Sequence, residues 1–399
     1  MLSVAAAQEL VLRHCRPLAA ECRRLGVELL GQTLAEDVVC GQDSPPFDKA
    51  LVDGYAVRSG DGDGLRTVVA KITAGQTPAQ PLGPREAARI MTGAPVPAGA
   101  DAVVMQEHVE VVGEGQIRLS RAVRAGENVM PRGQEMRRGE AVLRRGQVLG
   151  PQHLSLLAGL GHTRVAVVRR PVVGVLSTGD ELVEPDQVPG PGQIRNSNGI
   201  LLAARVVRAG GIPRALGIAR DNPAALRQHL SEGLCCDLLL VSGGVSAGAL
   251  DLVPTVLQEL GVQALFHKVF VKPGKPLFFG RTERCLVFGL PGNPVSSLVG
   301  FELFVRPAVA VLLGQERVLP RIVQGTLMRP HRHASDRPTY HPCRLQMTPG
   351  GWQVYPLPWF GSADLHSVCE ADAFCILEPG QRDYSPGEPV PVLLPGPWE

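Results

Sequence analysis

The chain has 399 residues, 44% of them hydrophobic and 20% charged, and a formal net charge of +2. At roughly 100–200 residues per domain this predicts two to four domains with true cores. It excludes a disordered chain, and so small a charge gives no electrostatic ground for binding nucleic acid. The 46 glycines and 35 prolines alternate with strong apolar runs, so they predict many tight turns. Nine scattered cysteines without a CxxC pair, two of them adjacent (Cys235, Cys236), predict reduced thiols in a cytoplasmic protein. Gln8, Glu9 and Arg13 interrupt any N-terminal secretory core. No 18-residue apolar run is expected, hence no membrane helix. Arg132, Arg137, Arg138, Arg144 and Arg145, interrupted by Glu135 and Glu140, read as a solvated face.

Helical spacing of Val4, Leu10, Val11 and Leu18 predicts an opening helix within residues 3–24, followed by an extended piece at 33–39. Short β runs at 54–58, 67–72, 102–105, 109–112 and 117–119 predict a small β-rich domain over 46–125. It is inserted into a helical linker domain of residues 1–45 and 126–170, whose second helix starts at Pro151. From 171 to 318 strands and helices alternate. Strands are expected at 172–176, 215–219, 238–241, 265–271, 276–279 and 285–289, and helices at 197–209, 223–232, 252–260 and 295–313. This predicts a doubly wound parallel α/β sheet with ligands beyond the carboxyl ends of its strands. Residues 319–399 form a C-terminal β barrel or sandwich, with strands near 322–327, 340–347, 352–355, 374–377 and 390–394.

Three glycine-bearing loops fall at those strand ends: 177–181, 242–248 and 290–294. Glycine admits close backbone approach, and N–H groups at helix starts favour phosphate. Asp180, Glu181, Asp221 and Asp251 sit on or near the same strand ends, and such oxygen ligands suit Mg²⁺ shared with a substrate phosphate. Lys272-Pro273-Gly274-Lys275-Pro276 sets two ammonium groups around a turn, which attracts an oxyanion. There is no GxGxxG or GxxxxGK[ST], which disfavours a dehydrogenase or a P-loop ATPase. Gly244-Val245-Ser246-Ala247-Gly248 spells GxSxG, but Ser246 lies mid-loop, away from the sharp strand-to-helix turn that a nucleophile elbow needs. His331-Arg332-His333 lacks further ligands at zinc spacing.

In order along the chain stand Ser44-Pro45-Pro46-Phe47, Asp53-Gly54-Tyr55-Ala56-Val57, Met91-Thr92-Gly93-Ala94-Pro95, Ser177-Thr178-Gly179-Asp180-Glu181-Leu182, Gln193-Ile194-Arg195-Asn196-Ser197-Asn198, Ser242-Gly243-Gly244-Val245-Ser246, Lys272-Pro273-Gly274-Lys275-Pro276 and Leu290-Pro291-Gly292-Asn293-Pro294-Val295-Ser296. This set resembles the molybdopterin molybdenumtransferase family, which includes bacterial MoeA and the gephyrin E domain. The resemblance implies insertion of molybdenum from molybdate into adenylylated molybdopterin, with Mg²⁺-dependent release of AMP. It implies a homodimer with a shared cleft, Asp53 and Thr92 reaching the partner's site. Contacts with the molybdopterin adenylyltransferase and with molybdoenzymes are also implied, and none with nucleic acid or membrane.

Residue by residue, the resemblance implies catalytic or metal roles for Glu135, Glu181, Asp221, Asp251, Lys268 and Lys272. It implies pterin-nucleotide binding by Ser177, Thr178, Gly179, Ser242, Gly243, Gly244, Ser246, Pro291, Gly292, Asn293 and Pro294. Molybdate falls to Lys272, Lys275, Ser296 and Ser362, with Arg344 standing in for the family arginine at Pro342. The chain departs from the family at Ala50-Leu51-Val52, where a hydroxyl is lost. It departs again at Gly248-Ala249-Leu250-Asp251-Leu252, where a carboxylate and a phenol are lost. A gephyrin-like scaffold or a weakened paralogue that only binds the pterin nucleotide are the alternative readings.

Overall fold

In the computed structural model, which describes residues 1–245 and 252–396, the apolar run at Val172 becomes one of the central strands of a six-stranded sheet. The order is Ile212–Ala219, Val172–Thr178, Leu238–Ser242, Leu286–Leu290, Pro276–Arg281, Gln263–Lys268. The first four strands are parallel, but Pro276–Arg281 pairs antiparallel with both of its neighbours, so the all-parallel expectation is corrected. The reason is chain length. Residues 269–275 and 282–285 connect these strands, and a parallel return needs a crossover of about a dozen residues or more.

Strand periodicity sorts the core into two layers. Leu238 and Leu240 face a cluster with Ala7, Val11, Leu202, Val206, Val295 and Phe304. Leu239 and Val241 face the opposite cluster with Leu226, Leu230, Val253, Val256 and Leu257. Helices therefore cover both faces, and both Leu238–Ser242 and Leu286–Leu290 are buried along their whole length.

The opening helix is shorter than its periodicity suggests. It spans Val4–Arg13, with the Ser3 hydroxyl accepting from the Ala6 N–H at 3.2 Å. Pro17 follows shortly, and Ala20–Arg24 is instead a strand paired with Arg164–Val168. Pro294–Leu312 is long and apolar enough to cross a membrane by length and composition, with mean hydropathy 1.7, yet 89% of it is buried inside the protein. It serves as a core helix, and a π-helical turn, Phe301–Val305, interrupts it. That turn carries Glu302, whose carboxylate meets Arg205 at 3.3 Å, Arg306 at 2.9 Å and the Gly396 N–H at 3.0 Å.

The C-terminal strands close a barrel in the order Arg321–Leu327, Gly351–Pro356, Thr339–Thr348, Ala373–Leu377, Pro389–Leu394. His331–Ser335 and Gly380–Tyr384 add a separate antiparallel pair. Their polar, mostly exposed residues lack the apolar alternation that announces a strand.

All of this belongs to one compact unit of residues 1–35, 146–151 and 164–399; residues 36–145 and 152–163 form a second. The second unit holds a six-stranded mixed sheet ordered Ala102–Met105, Gly54–Val57, Glu86–Ile90, Gly64–Ile72, Gln116–Leu119, Val109–Gly113. Glu86–Ile90 escaped the sequence reading because alanines fill its centre, and alanine is a poor strand former.

Glu302 is the buried anion that two arginines share, its side chain 1% exposed. Removing it by Glu302→Ala leaves both guanidinium groups uncompensated and should cost about 3–5 kcal/mol in urea unfolding. A loss under about 1 kcal/mol would contradict that role.

Candidate functional site

The parallel register sets Ser177 opposite Ser242, and Ser242 opposite Leu290, so three strands end on one row. Each then gives way to a loop. Gly243 and Gly244 both have left-handed backbones, φ +95° and +62°. A Cβ on Gly243 would come within 2.5 Å of the Thr178 carbonyl oxygen, and one on Gly244 within 2.8 Å of Thr178 Oγ1. Only glycine lets this loop lie so close to its neighbour. The Gly243 N–H donates to the Leu290 carbonyl at 3.1 Å, joining the second loop to the third.

Two asparagines that the sequence supplied only as part of a motif organise this floor. The Asn196 carboxamide oxygen accepts from the Ser177 hydroxyl at 2.9 Å and from the Gly199 N–H at 3.0 Å, capping the helix Ser197–Arg208. Asn198 Nδ2 donates to Ser242 Oγ at 2.8 Å and to the Gly292 carbonyl at 2.6 Å. The signal that could have found Asn196 is its place just before the helix, where a side-chain amide replaces a missing backbone partner, whereas no local signal marks the partners of Asn198.

The acidic residues stand outside this floor, exposed. Asp180 Oδ1 accepts from the Asp221 N–H at 3.1 Å, while Arg220 donates to the carbonyls of Asp180 and Leu182 at 2.9 and 3.1 Å. The Glu181 carboxylate folds back over Gly179. Among the described residues no group of three His, Cys, Asp or Glu side chains could hold a metal ion. Asp251 and Ser246 lie outside the described residues, as does the Ala249–Leu250 departure. An all-carboxylate set still matches a hard cation such as Mg²⁺, which binds through one or two carboxylates and takes further oxygens from phosphate.

The lysine turn is strapped to the barrel. Lys272 N–H donates to the Pro338 carbonyl at 2.9 Å, and the Tyr340 N–H to the Lys272 carbonyl at 2.8 Å. Gly274, φ +105°, lies against Ser296, whose carbonyl oxygen is 3.4 Å from where a Cβ would stand. Asn293 Nδ2 donates to Ser362 Oγ at 2.7 Å, and the Val295 N–H to the Ser362 carbonyl at 3.1 Å. The structure therefore ties the lysine turn to Ser296, and the Asn293 loop to Ser362. Lys268 ends its strand in register with Pro276, at the base of the same turn. Arg344 is exposed and committed to Glu370, through both the carboxylate and the backbone carbonyl.

Beside Lys272 opens a cavity of about 450 Å³ whose wall includes Arg329, Arg332, His331, His333, His341 and Trp359. From the sequence, His331 and His333 were weighed only as metal ligands, and His341 carried no signal. His341 Nε2 lies 2.8 Å from the Leu357 carbonyl, so that nitrogen carries the proton. Burial pushes the His341 imidazole down to about 4, and burial also lowers His331 and His333, the latter helped by Lys272. The histidines are thus neutral near pH 7, and the positive charge of this wall rests on Lys272, Arg329 and Arg332.

In the second unit, Asp53 accepts from the Thr92 N–H at 2.7 Å and from its hydroxyl at 2.8 Å. These bonds hold its carboxyl below the usual range. Glu135 accepts from Ser44 Oγ at 2.9 Å and pairs with Lys49 at 3.4 Å, which lowers it as well. Both carboxylates are thereby fixed as anions.

Three loops that leave one row of parallel strand ends, with the lysine turn packed on Ser296 of the helix after the third, define an α/β protein of the class whose ligands bind beyond the carboxyl ends of the strands. Residues 2–161 match the MoeA N-terminal region, 174–311 the probable molybdopterin binding domain, and 324–394 the MoeA C-terminal region. The chain is 34% identical over 378 residues to the molybdopterin molybdenumtransferase of Staphylococcus epidermidis, covering 92% of this chain and 89% of that one. It is 35% identical over 379 residues to that of Bacillus subtilis, covering 92% and 87%. A solved molybdopterin biosynthesis MoeA protein from Pyrococcus horikoshii is similar with a TM-score of 0.80, at 30% identity over 99% of this chain and 100% of that one. The chain belongs to the molybdopterin molybdenumtransferase family, as an enzyme of molybdenum cofactor biosynthesis.

His341 makes stability depend on pH. Its unfolded value, 6.5, lies above its folded value of about 4, so the unfolded chain binds more protons in between. Stability should fall by on the order of 3 kcal/mol as pH drops through that window, with no contribution from this group above pH 6.5. His341→Gln should flatten that part of a urea-unfolding pH series; an unchanged slope would contradict the assignment.

Proposed function

We propose that this enzyme inserts molybdenum from molybdate into adenylylated molybdopterin and releases AMP. The observation that carries this reading is the adjacency of two anion-seeking devices within one unit. The strand-end loops lie close against one another through Gly243 and Gly244, and the Lys272–Lys275 turn packs through Gly274 on Ser296, in the helix that follows the third loop.

In this reading the loops at Ser177–Gly179, Ser242–Gly244 and Pro291–Pro294 bind the pterin nucleotide, with Ser246 continuing the second. Lys272, Lys275, Ser296 and Ser362 hold molybdate, and the ammonium groups neutralise its charge as it approaches the dithiolene. Catalysis is then mostly positioning and fixed electrostatics, without a covalent protein nucleophile. Glu181, Asp221 and Asp251 would hold Mg²⁺, which when bound supplies polarisation of the phosphoanhydride. Lys268 adds positive charge at the base of the lysine turn. Arg344, engaged with Glu370, reaches the oxyanion only by leaving that pair. By family resemblance the enzyme works in the cytoplasm as a homodimer. Asp53 and Glu135 then supply fixed anionic groups to the shared cleft, with Thr92 holding Asp53 in place, and the adenylyltransferase and molybdoenzymes are its protein partners.

Lys275→Ala and Asp251→Asn should each lower molybdate-dependent AMP release by on the order of 100-fold or more, with adenylylated molybdopterin and Mg²⁺ supplied. Near-normal rates in both would remove these residues from the mechanism. Chelating the divalent cation should stop release in the parent enzyme, and Mg²⁺ should restore it.

A further inference from the structure

Asn198 is 7% exposed and sits in the first turn of Ser197–Arg208, yet neither hydrogen bond of its amide nitrogen serves that helix. One goes to Ser242 Oγ, where the second strand ends, and the other to the carbonyl of Gly292 in the third loop. A Cβ on Gly292 would lie 3.8 Å from the Gly243 Cα, so the two loops run side by side with little room between them. The separation of these loops is what a phosphorylated ligand would meet.

We propose that Asn198 is a positioning residue that sets the width of the pterin-nucleotide crevice by bolting the Ser242–Gly244 loop to the Pro291–Pro294 loop. This rests on the functional reading above and names the device that holds that site in shape. The physical case is one of donor count. Gly292 and Ser242 present oxygens to Asn198, and the carboxamide nitrogen has two hydrogens, one for each. A carboxylate of the same shape has none, and would face the Gly292 carbonyl oxygen with its own. The loops would then separate, although the side-chain volume is unchanged. The Asn198 carboxamide oxygen is buried and without a partner. Satisfying only its nitrogen is what a side chain kept for bridging, rather than for local stability, would show.

The test uses Asn198→Asp in the full chain, with Asn198→Ala beside it. Binding of adenylylated molybdopterin is followed by pterin fluorescence at pH 7.5 and 5.5, and thermal melting is recorded in parallel. At pH 7.5 the aspartate variant should bind on the order of 10–100-fold more weakly, the equivalent of one or two lost buried hydrogen bonds. At pH 5.5 a protonated carboxyl regains one donor, so part of that loss should be recovered. Asn198→Ala should remain weak at both values. A general structural role would not produce this pH-dependent rescue. Parent-like affinity in Asn198→Asp at pH 7.5, or a loss with no recovery at pH 5.5, would overturn the proposal. Failure of the parent protein itself to bind would instead overturn the functional reading on which the proposal rests.

Discussion

Ser177, Ser242 and Leu290 occupy one row of the parallel sheet, and the rest of the site follows from that register. A slip of one residue in any of these strands would turn its side chains to the opposite face. The buried sides forbid this: Leu238 and Leu240 are committed to one cluster, Leu239 and Val241 to the other. Because the row is fixed, the three loops emerge at one level, and glycine at 243 and 244 lets them close on each other. Asn196 and Asn198 then tie the loops to a helix start.

The barrel has a second part in this arrangement. It packs its Thr339–Thr348 strand against Lys272 and its Ser362 loop against Asn293 and Val295. The lysine turn is held on one side by Ser296 of the core helix and on the other by the barrel. A flexible turn with two lysines would be an ordinary solvated surface. Anchored on both sides, it becomes a fixed positive feature, which is worth more to an oxyanion because little reorganisation accompanies binding.

Much of this was legible in the sequence. The buried runs at 172–176, 238–241 and 285–289 announced the sheet, and the glycine loops expected at their ends do leave it on one row. Four things were not legible. The antiparallel edge depends on connection length, which alternating apolar runs do not encode. The opening helix continued in apolar periodicity past Arg13, while pairing with Arg164–Val168 drew Ala20–Arg24 into a strand. The asparagine bridges are long-range, 94 residues apart between Asn198 and Gly292, and no local pattern specifies such a partner. The cationic wall beside Lys272 escaped for a similar reason. Arg329 and His341 lie in different segments of the C-terminal domain and meet only through its fold.

The most direct measurement is a crystal structure of this enzyme soaked with adenylylated molybdopterin and tungstate, the heavy oxyanion that anomalous scattering locates. Nucleotide phosphate is expected on the loops at Thr178, Gly243 and Gly292, and a tungsten peak against Lys272, Lys275, Ser296 and Ser362. Tungsten bound elsewhere, with the lysine turn empty and the nucleotide off the strand ends, would contradict that assignment.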